Sequence, residues 1–135
     1  NLQAAMGVAQ MERLDDFIAI KRKNASLYRK LLSDIEEIEF LWEADSVKNN
    51  CWFYTVRLSN GHKKALMERL LSKNIQVRPI WKLIHTLPMY KDCQVYAINN
   101  AVEAYESCIN LPCSVGLKEE EIEFVVKSIK GYFGK

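Results

Sequence analysis

From Gly7 onward, Met11, Leu14, Ile18, Ala25, Tyr28 and Leu32 recur at spacings of three, four and seven, marking one face of a long helix that ends near Ser33. The later turns set charged residues against that face and read as amphipathic. The first turns do not, because Leu2, Ala4, Ala5, Met6, Val8, Ala9 and Met11 surround the helix and LQAAMGVAQM carries no charge. A helix apolar on every side is expected to be buried on every side. The sequence therefore predicts cover from another subunit or an upstream domain, and a chain opening at Asn1 reads as a piece of a longer protein.

After this helix the period shortens. Ile38, Phe40 and Trp42 alternate, and CWFYTVRL at 51–58 is dense in aromatic and β-branched residues, which predicts two strands. EADSVKNN between them is polar and turn-rich, and Ser59-Asn60-Gly61 ends the second strand. HKKALMERLLSKN then predicts a helix with Leu66, Leu70 and Leu71 inward and Asn74 placed to cap its end. IQVRP, 75–79, reads as a strand with Ile75 and Val77 on one face, closed by Pro79, which cannot donate to a ladder and suits an edge. Residues 83–93 show no clean period and predict a loop with at most one short helical turn. Ile98, Ala101, Val102, Tyr105 and Cys108 mark another helix, INLP a last strand, and 118–132 a final helix with Ile122, Val125, Val126, Ile129 and Phe133 inward. Glu119, Glu120 and Glu121 at its start, with Lys127 and Lys130 at its finish, complement the helix dipole. The order α-β-β-α-β-α-β-α predicts an α/β (α+β) two-layer sandwich, a small, mainly antiparallel sheet with helices on one side.

Composition narrows the function more than it defines it. A chain of 135 residues is the size of one domain, and 49% hydrophobic with 27% charged residues is an ordinary globular balance. The net charge of +2 gives no basic face for a phosphate backbone, so no nucleic-acid partner is expected, and Lys21-Arg22-Lys23 reads as a solvated helix face. No apolar run is long enough to span a bilayer, so no membrane role is expected. Cys51, Cys93, Cys108 and Cys113 fall at irregular separations with no secretory signal before them, which predicts reduced thiols in a cytoplasmic protein. The 108-to-113 gap exceeds the usual zinc hairpin and has no second pair, so no metal site is expected.

Candidate chemistry concentrates in RPIWKLIH, 78–85. No phosphate-binding glycine motif, H-E-x-x-H or G-x-S-x-G is present, and Cys-Ser-Val-Gly at 113–116 only superficially looks like a nucleophile turn. The carboxylates read as solvated charge on exposed helix faces, and His62, at a helix start, as an exposed histidine. His85 keeps apolar company in Trp81, Leu83, Ile84 and Leu87, with Arg78 and Lys82 nearby. By residue statistics a hydrogen-bonded structural histidine is the commoner case. Lys82 is open to two readings, a Schiff-base lysine with a lowered pKa or, more commonly, a lysine that snorkels to water. Ile80 and Ile84 read as packing residues.

Three stretches carry a family resemblance. NLQAAMGVAQMERLDDF resembles the segment after the N-Y-R-M turn of the DegT/DnrJ/EryC1/StrS sugar aminotransferases, with its N-L-Q-A-A-x-G-x-x-Q-L-x-x-L-D signature. RPIWKLIHTLPMY looks like that family's R-P-x-W-K-P-x-H-x-x-P-x-F region, and INLPCSVGLKEEEIEFVVKSI is similar to its closing L-P-S-x-x-x-L-T-x-E-E pattern. Leu83 stands where the family has proline, and Lys118 where it has the capping Thr or Ser. The likeness runs through the chain but covers only the C-terminal part of the family's protein.

The resemblance implies the small C-terminal domain, 1–135, of a pyridoxal-phosphate enzyme with the aspartate aminotransferase fold (fold type I). Residues 1–33 would form a linking helix, and the cofactor-binding large domain would lie upstream. It implies transfer of an amino group, usually from glutamate, to a nucleotide-linked keto sugar destined for surface glycans, by a homodimer. The Schiff-base lysine is implied to lie outside this chain, so Lys82 is not that lysine, no catalytic residue is assigned here, and the fragment alone is expected to be inactive and to hold no cofactor. Trp81 and His85 match positions that approach the sugar nucleotide, Arg78 and Lys82 fall where they could meet its diphosphate, and Asn1 and Gln3 adjoin the cofactor-phosphate turn. The R-P-x-W-K form is similar to branches acting on 4-keto-6-deoxy sugars, such as perosamine-type or UDP-4-amino-4,6-dideoxy-N-acetylhexosamine synthases. The competing reading is a free-standing binding or regulatory module without catalysis.

Overall fold

The computed structural model describes residues 1–59 and 61–135; the expected turn residue Asn60 lies outside the described residues. Two helices, α1 (Leu2–Met11) and α2 (Leu14–Leu32), open the chain, followed by β1 (Ile38–Phe40), β2 (Tyr54–Leu58), α3 (Lys63–Ser72) and β3 (Arg78–Pro79). Two 3-10 turns, Ile84–Thr86 and Pro88–Tyr90, lead to α4 (Asn99–Ser107), β4 (Cys108–Leu111) and α5 (Glu119–Phe133). The strands form one antiparallel sheet in the order β1-β2-β4-β3.

The expected single helix over residues 1–33 is interrupted at Glu12 and Arg13. Arg13 leaves the helical region (φ −110°, ψ 5°) and its amide bonds to the Gln10 carbonyl at 3.2 Å, a tighter turn than the α-helix makes. The helix restarts with Asp15 and Asp16 in its first turn, where their charge suits the amide dipoles. The expected apolar face divides accordingly. Ala25, Tyr28 and Leu32 are buried, whereas Met11 and Leu14 are exposed and α1 buries no residue at all.

The core lies between one sheet face and α2, α3 and α5. Tyr54, Val56 and Leu58 of β2 point into it and pair across the ladder with Leu111, Ile109 and Ile38. Tyr28, Leu66, Leu70, Ile122 and Ile129 close it from the helices. Arg57 and Thr55, the alternate β2 residues, belong to the second face with Glu39, Cys108 and Asn110. Arg57 pairs with Glu39 there at 3.0 Å, and the Thr55 hydroxyl donates to Asn110 Oδ1 at 2.7 Å.

The expected strand over 75–79 pairs only at Arg78 and Pro79, opposite Asn110 and Ile109. Its burial still alternates, with Ile75 and Val77 buried and Gln76 exposed. Pro79 sits on an edge strand, where its missing N–H leaves no ladder bond unmade. Asn74 ends α3 in the left-handed conformation, φ +59°, with its amide bonded to the Leu71 carbonyl. Cys108 belongs to β4 rather than to the helix before it. Without a Thr or Ser cap, α5 keeps half of a capping box, because Glu121 accepts from the Lys118 amide at 2.8 Å. Gly134 ends α5 at φ +76°. No described helix is long and apolar enough to cross a membrane.

Candidate functional site

The loop expected to hold at most one helical turn holds two, and they set the direction of the site. The Thr86 and Leu87 amides bond back to Leu83 and Ile84, and those of Tyr90 and Cys93 to Leu87 and Tyr90, all at 2.9 to 3.0 Å. Pro88 opens the second turn, where a missing N–H has no partner to lose. Leu83, in place of the family's proline, is extended (φ −62°, ψ 125°), a backbone close to that of proline itself. The chain therefore folds back on itself and turns Trp81, Lys82 and His85 into one open groove of about 530 Å³, which Tyr90, Tyr96 and Ile98 also line.

The remaining expected site residues lie apart from this lining. Arg78 is exposed on β3 opposite Asn110, on the second sheet face. Asn1 and Gln3 are exposed at the start of α1, where the Asn1 side chain accepts from the Ala4 amide at 3.5 Å. Ile84, read as a packing residue, is 67% exposed in the groove wall, while Ile80 is half-buried. His85 is half-buried in the groove rather than enclosed in the core. Among the described residues lining the groove there is no carboxylate, so Lys82 supplies an unopposed positive charge.

Trp81 also touches residues that the strand pattern had absorbed. The rings of Trp52 and Phe53 stack with centroids 4.7 Å apart, and Trp81 stands steeply against both, at 6.1 and 6.2 Å. The aromatic density of CWFYTVRL predicts strand, yet β2 starts only at Tyr54. Cys51 is the reason: at φ +54° it turns the chain out of the ladder, so Trp52 is 61% exposed beside Trp81.

Two residues of the supposed solvated run, Lys21 and Arg22, hold this region. The Lys21 ammonium donates to the Cys113 carbonyl at 2.6 Å and lies 5.3 Å from the centre of the Tyr54 ring, whose hydroxyl donates to the Lys21 carbonyl. Arg22 grips Glu43 through two nitrogens, at 2.5 and 2.9 Å, and donates to the Asn49 carbonyl, while the Asn49 amide donates to Glu43. The guanidinium and the Asn49 amide draw the Glu43 pKa down to about 2. His62, expected to be exposed, is half-buried, with Nδ1 3.0 Å from the Tyr132 hydroxyl.

A small antiparallel sheet backed on one face by helices, with an aromatic and cationic groove beyond its edge strand, defines a small α/β domain. Comparison places it further: residues 1–130 match the model of the DegT/DnrJ/EryC1/StrS aminotransferase family, and the chain belongs to that family. It is 32% identical over 139 residues to a GDP-perosamine synthase of Vibrio cholerae, and 30% identical over 135 residues to the Escherichia coli O157:H7 enzyme of that name. These alignments cover 98% of this chain and 37% and 36% of the relatives, so the chain spans little more than a third of their length. Its fold is similar to that of S. venezuelae DesV, crystallised with a ketimine intermediate, at a TM-score of 0.90 and 18% identity over 98% of this chain and 36% of that one.

Proposed function

We propose that this chain is the smaller, C-terminal domain of a pyridoxal-phosphate-dependent aminotransferase that moves an amino group from glutamate to a nucleotide-linked 4-keto-6-deoxy sugar for surface-glycan synthesis. The larger domain would precede it, and the whole enzyme would act as a homodimer. The observation that carries this reading is the groove, in a chain of this family, where Trp81, Lys82 and His85 converge without an opposing carboxylate. An indole, an imidazole and an ammonium suit a sugar ring, its hydroxyl or keto oxygens and a diphosphate respectively. Both GDP-perosamine synthases named above bear on the substrate class, since their names specify a nucleotide-linked amino sugar.

The residues of this chain do not by themselves fit pyridoxal phosphate. Lys82 is exposed, and among the described residues no carboxylate lines its groove to meet a pyridine nitrogen. Desolvation lowers the pKa of half-buried Lys63, but that ammonium is donated to the Tyr105 carbonyl and lies over the Tyr105 ring in a different groove. No chemical step is therefore assigned to a residue of this chain, and its part is to bind and orient the sugar nucleotide.

The test is made on the full-length protein. With pyridoxal phosphate it should absorb in the visible, bleach when glutamate is added, and aminate a nucleotide-linked 4-keto-6-deoxy sugar. A colourless protein that cannot be reconstituted, or one inert toward glutamate and every such sugar, would reject the assignment.

A further inference from the structure

Trp52 and Phe53 contribute little to the core, yet they are held firmly. Trp52 and Trp81 are 61% and 67% exposed and meet at an interplanar angle of 66°, with Phe53 stacked on Trp52 at 29° and set at 75° to Trp81. Two exposed indoles at this angle make a corner. A planar ring entering it lies flat on one indole and turns its edge to the face of the other, and both arrangements are favourable for aromatic quadrupoles.

Trp52 also lines a groove with Leu14, Phe17, Ile18, Lys21 and Asn50, next to that of Trp81, and side-chain hydrogen bonds fix the backbone on which it stands. Asn49 Oδ1 accepts from the Cys51 amide at 2.7 Å and Asn50 Oδ1 from the Trp52 amide at 3.0 Å, while Arg22 and Glu43 fasten the loop from below. Cys51, a residue with a Cβ, is kept in the left-handed region, a conformation that persists only where its surroundings enforce it.

Charge selects among planar ligands. Lys82 follows Trp81 directly and lines the adjoining groove, which among its described residues has no carboxylate. A planar ring joined to an anionic group is the chemistry of a nucleotide. We propose that Trp52 and Trp81 clamp the base of the nucleoside diphosphate, with Phe53 backing Trp52, and that Lys82 faces the diphosphate. This inference rests on the preceding one only in taking the nucleotide to be the carrier of the sugar.

The experiment uses the full-length protein and titrates GDP, UDP and dTDP into wild type, Trp52→Leu and Trp52→Phe by calorimetry. Stacking of one base on one aromatic side chain predicts about tenfold weaker binding for Trp52→Leu, and near-wild-type affinity for Trp52→Phe, which keeps a ring. Equal affinity in Trp52→Leu and wild type overturns the proposal, as does a wild type that binds none of the three. So does a Trp52→Leu protein that melts early or changes its assembly while its folded fraction binds normally, because the corner is then covered by polypeptide. If Trp52→Leu does not fold, acrylamide quenching in a Trp42→Phe background, where Trp52 and Trp81 remain in this chain, is compared with the same background carrying Trp52→Phe: shielding by the bound nucleotide that is lost with Trp52 supports the clamp, and no shielding, or the same shielding without Trp52, overturns it. Binding through Trp52 without amination sinks the aminotransferase reading alone. Amination with unaltered affinity in Trp52→Leu sinks the clamp alone.

Discussion

Glu43 accepts from both terminal nitrogens of Arg22 and from the Asn49 amide, a concentration of donors that a sequence of scattered carboxylates does not announce. Its spacing from Arg22 matches no helical or strand period, so the pair is invisible until the chain folds. Because its folded pKa, about 2, lies below the ordinary glutamate value of 4.5, Glu43 stabilises the fold fully above that ordinary value and loses this effect as pH falls toward 2. The unfolding free energy of wild type should thus exceed that of Glu43→Gln at pH 7, and the gap should close in acid denaturation profiles between those two values. His85, by contrast, stood out by its neighbours, which alone favoured a structural histidine; the family resemblance supplied its site reading, and the 3-10 turn holds it half-buried beside Lys82. In the full-length enzyme, His85→Ala should reduce use of the keto sugar by about 10- to 100-fold while leaving the visible absorbance of the cofactor intact. Loss of that absorbance would show that His85 serves the cofactor and not the sugar.

Among the elements, α5 and β4 were readable because strong apolar periods coincide with their burial: Ile122, Val125, Val126 and Ile129 all face the core. Where apolar period and hydrogen bonding part company, as in Ile75–Val77 before the two-residue β3, the sequence shows which side is buried but not whether a ladder forms. Backbone capping is the stronger local signal. Asn74 closes α3 at φ +59°, so Asn74→Ala should destabilise the fold by about 1 kcal/mol and Asn74→Gly by much less, as chemical denaturation can measure. Equal losses for the two variants would mean that the Asn74 side chain, not its backbone, matters there.

At the scale of the whole molecule, α1 stands apart from the core, with Leu2, Met6, Val8 and Met11 78, 62, 58 and 67% exposed. The uncharged first turns demanded cover, and within this chain they have none. Since α1 buries nothing here, removing residues 1–11 should shift the unfolding free energy of the 135-residue chain by less than about 0.5 kcal/mol and lessen its aggregation. A large loss would show that α1 folds back onto the core in solution. The sequence alone determined the order of elements, the inward face of α5, that of α3 apart from Leu71, which was expected inward and is 48% exposed, the family signatures and the stretch that supplies Trp81, Lys82 and His85, because periodicity and short motifs are local properties. It could not show that Lys21 and Arg22 leave the solvated face, that Trp52 and Phe53 leave the strand for Trp81, or that Arg78 lies outside the groove lining. Those outcomes join residues such as 22 with 43 and 52 with 81. Only the assembled sheet, with Cys51 turned into the left-handed region, brings such partners within reach.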